Sequence, residues 1–270
     1  MHSFSRPDHA MVVPFNVAAL DSHVLQEYVT GAPQQAATAE PVKWPKESKP
    51  TYKGLTTLIQ ILSAAALFIG EPIFIFTDDA KNYFNQFYLS PAQYPHFVTL
   101  FRNVRTNCLE FVAEYVMGFG VSPSSNIAQR FAHAFTACVM RHFKRSEEKY
   151  HATHPRKGRE LQWYQHRVKL GEYDGLLAAM LMYTDDPVMV VVGVPRAVRF
   201  LTALSRTVTR VRLRMGSPIK RKGGVTLEWL GATFHVFSAV WLTVDKRLRA
   251  LQDIDQLLTG KMTVSEHSSI

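Results

Sequence analysis

The stretch LMYTDDPVMVVV, residues 181–192, contains two apolar runs on either side of a short polar turn. Short runs of apolar and β-branched residues favour strands, and Asp and Pro favour a turn. The stretch therefore predicts a β-hairpin with Asp185 and Asp186 at its tip. Carboxylates at the edge of a hydrophobic sheet are costly unless something neutralises them, and hard divalent cations do so well.

A second pair of acids, Asp78 and Asp79, follows the apolar run IFIFT at residues 73–77. Either pair alone is also typical of a turn exposed to solvent. In the order strand, acid, helix, hairpin, acid, we expect the carboxylates of Asp79 and Asp185 to converge on shared cations. Two magnesium ions about 3.5–4 Å apart can activate a 3′-hydroxyl and stabilise a leaving pyrophosphate.

Hydrophobic periodicity and capping signals place the other elements around these acids. Strands and helices in this order predict an α+β domain with a split β–α–β, ferredoxin-like core. The expected elements are a helix from Gly54 to Phe68, strands near 97–101 and 111–116, a helix from Ser122 to near His142, a helix over 195–211 and strands over 227–237.

The composition predicts a partner with negative charge. The chain has 270 residues and a formal net charge of +9, which favours nucleic acid first and an anionic membrane surface second; a basic surface that only keeps the protein soluble is the alternative. Cys108 and Cys138 form neither a disulfide framework nor a zinc pattern, and the N-terminus lacks a signal peptide, so we expect an intracellular location, cytoplasmic or nuclear, and no secretion. The apolar run Leu55–Ile69 contains polar residues and predicts a core helix rather than a membrane span.

Four motifs resemble those of reverse transcriptases. The Tyr-Thr-Asp-Asp at 183–186 resembles the family's Tyr-x-Asp-Asp box, and DAKNYFNQFYL at 79–89 is similar to its first palm motif. The stretch GFGVSPSSNIAQ at 118–129 resembles the Pro-Phe-Gly-Leu-x-x-Ala-Pro segment, and LEWLG at 227–231 resembles the turn that grips the primer. Gly118 and Ser125 stand where the family often has Pro.

The resemblance implies a polymerase palm with partial fingers and the start of a thumb. By this interpretation residues 1–53 are partial fingers or a linker and residues 54–237 are the palm, with a basic insertion at about 141–175. Residues 238–270 would begin a thumb or form a C-terminal tail.

The same resemblance implies a metal site. Asp79, Asp185 and Asp186 would be the catalytic ligands of two Mg²⁺ ions, with Mn²⁺ as an alternative, and the carbonyl of Ala80 would be a further ligand. Asp78 has no counterpart in the motif and is predicted to be a solvated neighbour.

A set of residues is implied to contact the incoming deoxynucleotide. Phe84 would block a ribose 2′-hydroxyl, although aromatic residues are often simply core. Lys220 or Lys222 would protonate pyrophosphate, and exposed basic loop residues are the alternative for both. The implied nucleotide-binding residues are Asn82, Tyr83, Phe84, Phe119, Gly120 and Lys220.

Template and primer would be held by a further set. Gln129 is predicted on the exposed side of its helix, where it would meet the template or be an ordinary surface residue. The basic runs over 141–169 and 196–222 would neutralise phosphates without reading bases, or form solvated faces. The implied template and primer residues are Gln129, Tyr183, Trp229, Leu230 and Gly231.

These observations predict an RNA-directed DNA polymerase from a retrotransposon polyprotein, acting on an RNA or DNA template with a primer and deoxynucleoside triphosphates, with no membrane partner. One alternative is a catalytically inactive or domesticated fragment that binds nucleic acid. Another is an RNA-dependent RNA polymerase, against which Phe84 argues as a sugar gate.

Overall fold

A computed structural model describes most of the chain between residues 47 and 252. The described residues are 47–91, 98–102, 105, 109–113, 115–117, 124–170, 175–237, 239–242, 246, 249 and 252. The helices are α1 (Tyr52–Ile69), α2 (Ser124–Thr153), α3 (Gly158–Leu170) and α4 (Val194–Val211). The strands are β1 (Ile73–Thr77), β2 (Val98–Arg102), β3 (Leu109–Ala113), β4 (Ala178–Tyr183), β5 (Asp186–Val192), β6 (Lys222–Gly224), β7 (Thr226–Trp229), β8 (Ala232–His235) and β9 (Ala239–Leu242).

The central sheet has the strand order β4-β5-β1-β6. Both β1 and β4 pair antiparallel with β5, so they run in the same direction with β5 between them. The connection from β1 to β4 includes α2 and α3, which gives the split β–α–β arrangement. The mixed helix and sheet class predicted from the sequence is confirmed.

Alternate residues of the sheet contribute to two hydrophobic clusters on opposite faces. Phe76, Met189 and Val191 pack with buried residues of α2 and α4. Ile75 and Val190 pack with buried residues of α1 and with the β7–β8 hairpin. The sheet is therefore covered on both sides, and polar side chains can gather only at its ends.

The first helix begins and ends on clear signals. The Thr51 hydroxyl accepts a hydrogen bond from the Gly54 amide at 3.0 Å, and Gly70 closes the helix with φ of 84°. Among the described residues, α1 is the one helix long and apolar enough to cross a membrane, and 33% of it is buried. Because Leu55, Ile59 and Leu62 pack against the sheet, the contacts favour the core helix expected from the sequence.

The helix α2 is longer than predicted, ending at Thr153 rather than near His142. The basic insertion is also helical over most of its length, since it contains the end of α2 and all of α3. Residues buried against other elements explain the extension: Phe143 packs on Phe200, and the Glu147 carboxylate pairs with arginines of α4. The sequence pattern missed this because long-range ion pairs leave no local periodicity.

At one end of the central sheet lies a buried charged cluster, which we call the arginine end. The Arg196 guanidinium lies 2.8 Å from the carboxylates of Glu71 and Glu160 and 3.3 Å from that of Glu147. Arg199 also pairs with Glu147. The cluster joins α2, α3, α4 and the turn before β1, so Arg196 and Arg199 act within the protein and are not the phosphate contacts that their basic run predicted.

The β7–β8 hairpin turns on two residues with positive φ, Leu230 at 50° and Gly231 at 75°. Such a two-residue turn matches the twist of the flanking strands. The Leu230 carbonyl accepts hydrogen bonds from the Tyr52 hydroxyl at 2.6 Å and the Lys246 ammonium at 2.8 Å. The turn is therefore held in place from α1 on one side and from Lys246 on the other.

Candidate active site

The opposite end of the central sheet brings the predicted acids together, and we call it the aspartate end (Asp79, Asp185 and Asp186). The β1–β5 register pairs Thr77 with Val188. Continued by two residues, it sets Asp79 opposite Asp186. The Ala80 amide donates to the Asp185 carbonyl at 2.9 Å, so the pairing does continue beyond the strand. Opposite residues in an antiparallel pair have Cα atoms about 4.5–5.5 Å apart.

The hairpin tip holds both of its acids close to this continuation of β1. Tyr183 pairs with Asp186 across the turn, and Thr184 has φ of 54°. A tight turn of this kind leaves Asp185 on the side of Ala80 and Asp186 on the side of Asp79. The backbone contacts thus place the residues that continue β1 beside the hairpin tip.

The carboxylates of the hairpin tip are held in an unfavourable electrostatic environment. Burial, and then the neighbouring charges of Asp185 and Asp79, raise the pKa of Asp186 to about 6. Burial also raises the pKa of Asp185, with a smaller contribution from Asp79. Lys220 acts in the opposite direction on both. A positive ligand at this end would relieve the repulsion.

On its other side, β1 continues into contact with a basic loop. The β1–β6 register ends with Thr77 opposite Lys222, and the residues before Lys222 form a short turn at the end of β1. Two side-chain ion pairs join this turn to the acids: the Lys220 ammonium lies 2.7 Å from Asp79 and the Arg221 guanidinium 3.0 Å from Asp78. Asp79 therefore lies between Asp186 on one side and the base of this loop on the other.

The environment of Asp78 corrects a prediction. Its side chain is only 9% exposed and pairs with Arg221, so it is not a solvated neighbour. Its Oδ1 also accepts the Asp79 amide at 2.9 Å. The sequence could not show this, because the partner is more than a hundred residues away and lies in the loop before β6.

The backbone around Asp79 is fixed by residues that the sequence did not single out. The Gly216 amide donates to the Asp79 carbonyl at 2.6 Å, and a Cβ at Gly216 would lie 2.6 Å from Asp79 Oδ2. Only glycine allows so close an approach. The buried Gln86 amide donates to the carbonyls of Lys81 and Arg214 and accepts from the Arg214 amide, which ties these two segments together.

The position of Gln129 is a second correction. It is buried rather than exposed, and its amide donates to the Met182 carbonyl while accepting from the Thr184 amide, both at 2.9 Å. The Gln129 side chain thus makes the backbone hydrogen bonds that a neighbouring strand would otherwise make beside the hairpin tip. It does not meet solvent, because the face of α2 that carries Gln129 packs on β4.

The residues after Asp79 lie mostly inside the core. Tyr83 is buried and donates from its hydroxyl to the Ala128 carbonyl at 3.2 Å; burial, and then Asp185, raise its pKa. Phe84 is 8% exposed and belongs to the same cluster, which keeps open the alternative of a plain core aromatic. Asn82 has φ of 48°, in the left-handed region. Phe119 and Gly120 lie outside the described residues.

The β7–β8 hairpin contacts the aspartate end directly. The Trp229 indole donates to the Asp186 carbonyl at 3.1 Å. Together with Asp79, Asp186, Lys220 and Leu230, it lines a cavity of about 270 Å³. Gly231 lies in the turn beyond Leu230. Tyr183 lies next to Lys49, whose ammonium is 4.9 Å from the centre of the Tyr183 ring. The cavity also includes Glu228, an exposed acid that no sequence signal identified.

The donor set at the aspartate end fits a hard divalent cation by its chemistry. It offers carboxylate oxygens, one of them on a group whose pKa is raised to about 6 by burial and like charge. Among the described residues, no group of three or more His, Cys, Asp or Glu side chains is already arranged to hold a metal ion. The Lys220 ammonium pairs with Oδ2 of Asp79, so a cation would compete with Lys220 for that oxygen.

Comparisons with known proteins give structural similarity only. No family model matches the chain, and no curated protein matches it in sequence. Telomerase from Candida albicans in complex with the TWJ fragment of telomeric RNA is similar with a TM-score of 0.47 and 10% identity, over 73% of this chain and 34% of that one. Apo telomerase from Candida tropicalis, truncated from its C-terminal domain, gives 0.44 and 11%, over 72% and 40%.

The chain therefore spans about a third to two fifths of the length of these two telomerase chains. At such identities and TM-scores, the similarity carries no conclusion about activity.

Proposed function

We propose that this chain is the catalytic palm of an RNA-directed DNA polymerase, which extends a primer on an RNA or DNA template with deoxynucleoside triphosphates. The observation that carries the proposal is the placement of Asp79 opposite Asp186, with Ala80 hydrogen-bonded to Asp185. The motifs that resemble reverse transcriptases support it, because they supply these same residues.

In this proposal Asp79, Asp185 and Asp186, with the Ala80 carbonyl, hold two Mg²⁺ ions, for which Mn²⁺ can substitute. When bound, the ions supply activation of the primer 3′-hydroxyl and charge stabilisation on the leaving pyrophosphate. The protein's own groups bind and orient the reactants, and the Lys220 ammonium moves from Asp79 to the phosphates, where it donates a proton to the leaving group.

Other side chains position the nucleotide and the primer. Phe84 would select deoxyribose, the backbone of Asn82 and Tyr83 would face the triphosphate, and Trp229 would link the primer to Asp186. The exposed basic residues of α2 and α3 would contact nucleic acid backbones, which is a salt-sensitive interaction without sequence preference. We further propose an origin in a retrotransposon polyprotein and an intracellular place of action, cytoplasmic or nuclear.

Primer extension with deoxynucleotides tests the proposal. The wild type should extend a primer in Mg²⁺, and Asp185→Asn should fall to the level of a reaction without enzyme. Glu148→Gln, which alters an exposed acid of α2 outside the aspartate end, is the matched control and should extend as the wild type does. Equal extension by the wild type and Asp185→Asn would exclude the assigned metal site.

A second candidate function is nucleic acid binding without synthesis. It is favoured by the contact between Lys220 and Asp79 and by the lack, among the described residues, of three side chains already arranged around an ion. It predicts salt-sensitive binding that is the same in the wild type and in Asp79→Asn. Binding of this kind with no extension, also after fingers and thumb segments are supplied, would favour this candidate over the polymerase.

A further inference from the structure

Two adjacent ion pairs join the end of β1 to the loop before β6. Asp78 pairs with Arg221 and Asp79 with Lys220. The paired residues of β1 and β6 end at Thr77 and Lys222, so both ion pairs are side-chain contacts to the turn beyond the paired strands. The loop is therefore held to the aspartate end by two contacts of the same kind.

The two pairs differ in their surroundings. The Asp78 carboxylate is 9% exposed, and it also accepts the Asp79 amide. Asp78, Asp79 and Asp186 all line the cavity, but the Asp79 carboxylate is 21% exposed; its partner Lys220 is 63% exposed, and Arg221 is 52% exposed. Because the Asp79 carboxylate is the more exposed of the two, an entering cation meets it before it meets that of Asp78.

The loop that carries both contacts is a compact turn. The Lys220 amide donates to the Ser217 carbonyl at 2.9 Å and the Arg221 amide to the Pro218 carbonyl at 3.1 Å. Lys220 and Arg221 are thus neighbours on one small hydrogen-bonded unit. Fixing Arg221 keeps Lys220 within reach of the cavity even when its own contact is broken.

We propose that Asp78 and Arg221 are positioning residues: their ion pair anchors the loop while Lys220 leaves Asp79 for the phosphates of an incoming nucleotide, as a divalent cation takes its place. This inference rests on the proposed function, since it assigns the cation and the nucleotide to the same site. Asp78 has a second positioning effect, because its carboxylate orients the Asp79 backbone through the hydrogen bond to the amide.

The reactivity of Lys220 tests the anchor without any measurement of synthesis. The full chain is treated with an amine-acylating reagent, with and without Mg²⁺, and acylation of each lysine is quantified by mass spectrometry. Mg²⁺ should raise acylation of Lys220 in the wild type by about two- to fivefold, the range expected when an exposed ion pair opens. Lys149, an exposed lysine of α2 outside the aspartate end, is the internal control and should not change.

Arg221→Gln should raise acylation of Lys220 already without Mg²⁺, and Mg²⁺ should then add little. An Arg221→Gln protein whose Lys220 is as protected as in the wild type would overturn the anchor. Mg²⁺ binding is measured separately by calorimetry, and its absence would contradict the proposed function. The anchor would then be tested by the acylation of Lys220 without Mg²⁺, compared between the wild type and Arg221→Gln.

Kinetics distinguish positioning from a general structural role. Arg221→Gln should lower kcat with little change in the KM for primer–template, and Arg221→Lys should restore much of the loss. Arg221→Gln added to Lys220→Met should cost no more than Lys220→Met alone, because the anchor acts only through Lys220. The assignment would be overturned if the losses of kcat in the two single variants added in the double variant. It would also be overturned if a lower melting temperature of Arg221→Gln accounted for its loss of kcat.

Discussion

The two ends of the central sheet both carry clustered charges, but only one cluster is neutralised. At the arginine end, Arg196 and Arg199 meet Glu71, Glu147 and Glu160 in direct ion pairs. At the aspartate end, Lys220 pairs with Asp79, while burial and like charges raise the pKa of Asp186 to about 6.

This difference separates a structural cluster from a binding site. A buried ion pair whose partners are all present is internally balanced, and removing one partner leaves a costly buried charge. Carboxylates that repel one another at the edge of a cavity are instead balanced by something that enters it. The arginine end should therefore govern stability, and the aspartate end should govern activity.

The largest expected effect is on activity at the aspartate end. Asp185→Asn should abolish primer extension while leaving the far-ultraviolet circular dichroism spectrum unchanged and the melting temperature no lower than that of the wild type, because it removes a charge that the folded state disfavours. If Asp185→Asn were inactive because it had unfolded, the aspartate end would govern stability as well, which would contradict the difference between the two ends.

The next effect is on stability at the arginine end. Arg196→Met should lower the free energy of unfolding by about 3 kcal/mol, since it removes a buried guanidinium that pairs with the buried Glu147 and the partly exposed Glu71 and Glu160. Denaturant unfolding measures the change. Arg206→Met, on the exposed side of the same helix, is the matched control and should shift stability by no more than about 0.5 kcal/mol. Similar losses in both variants would mean that the Arg196 cluster has no special role.

The sequence predicted the local parts of this picture and missed the long-range ones. The strand at 73–77 and the hairpin at 181–192 were evident because apolar runs and turn residues lie within the elements that they define. The burial of Gln129 and Asp78, the extension of α2 and the roles of Gln86 and Gly216 depend on partners distant in sequence. No periodicity encodes those contacts, so they emerge only when the register between strands is known.

A smaller effect sharpens the comparison through pH. Because the pKa of Asp186 is raised above its ordinary value, the folded state binds more protons between about pH 4 and pH 6, and this group destabilises the protein most above pH 6. Asp186→Asn should therefore raise the melting temperature in metal-free buffer at about pH 7.5, with the gain vanishing near pH 4. An equal gain at both pH values would contradict the electrostatic explanation.

The smallest expected effect concerns the link between the β7–β8 hairpin and the aspartate end. Trp229→Phe keeps an aromatic ring but removes the indole donor to the Asp186 carbonyl, at a cost of about 0.5–1.5 kcal/mol. Trp163→Phe is the matched control, because the buried indole nitrogen of Trp163 has no hydrogen-bond partner among the described residues. Loss of the Trp163 indole N–H should leave the free energy of unfolding unchanged or raise it slightly. If the β7–β8 hairpin positions the tip of the β4–β5 hairpin through this bond, Trp229→Phe should also lower kcat, whereas Trp163→Phe should not. Equal behaviour of the two variants would show that Trp229 contributes only its ring.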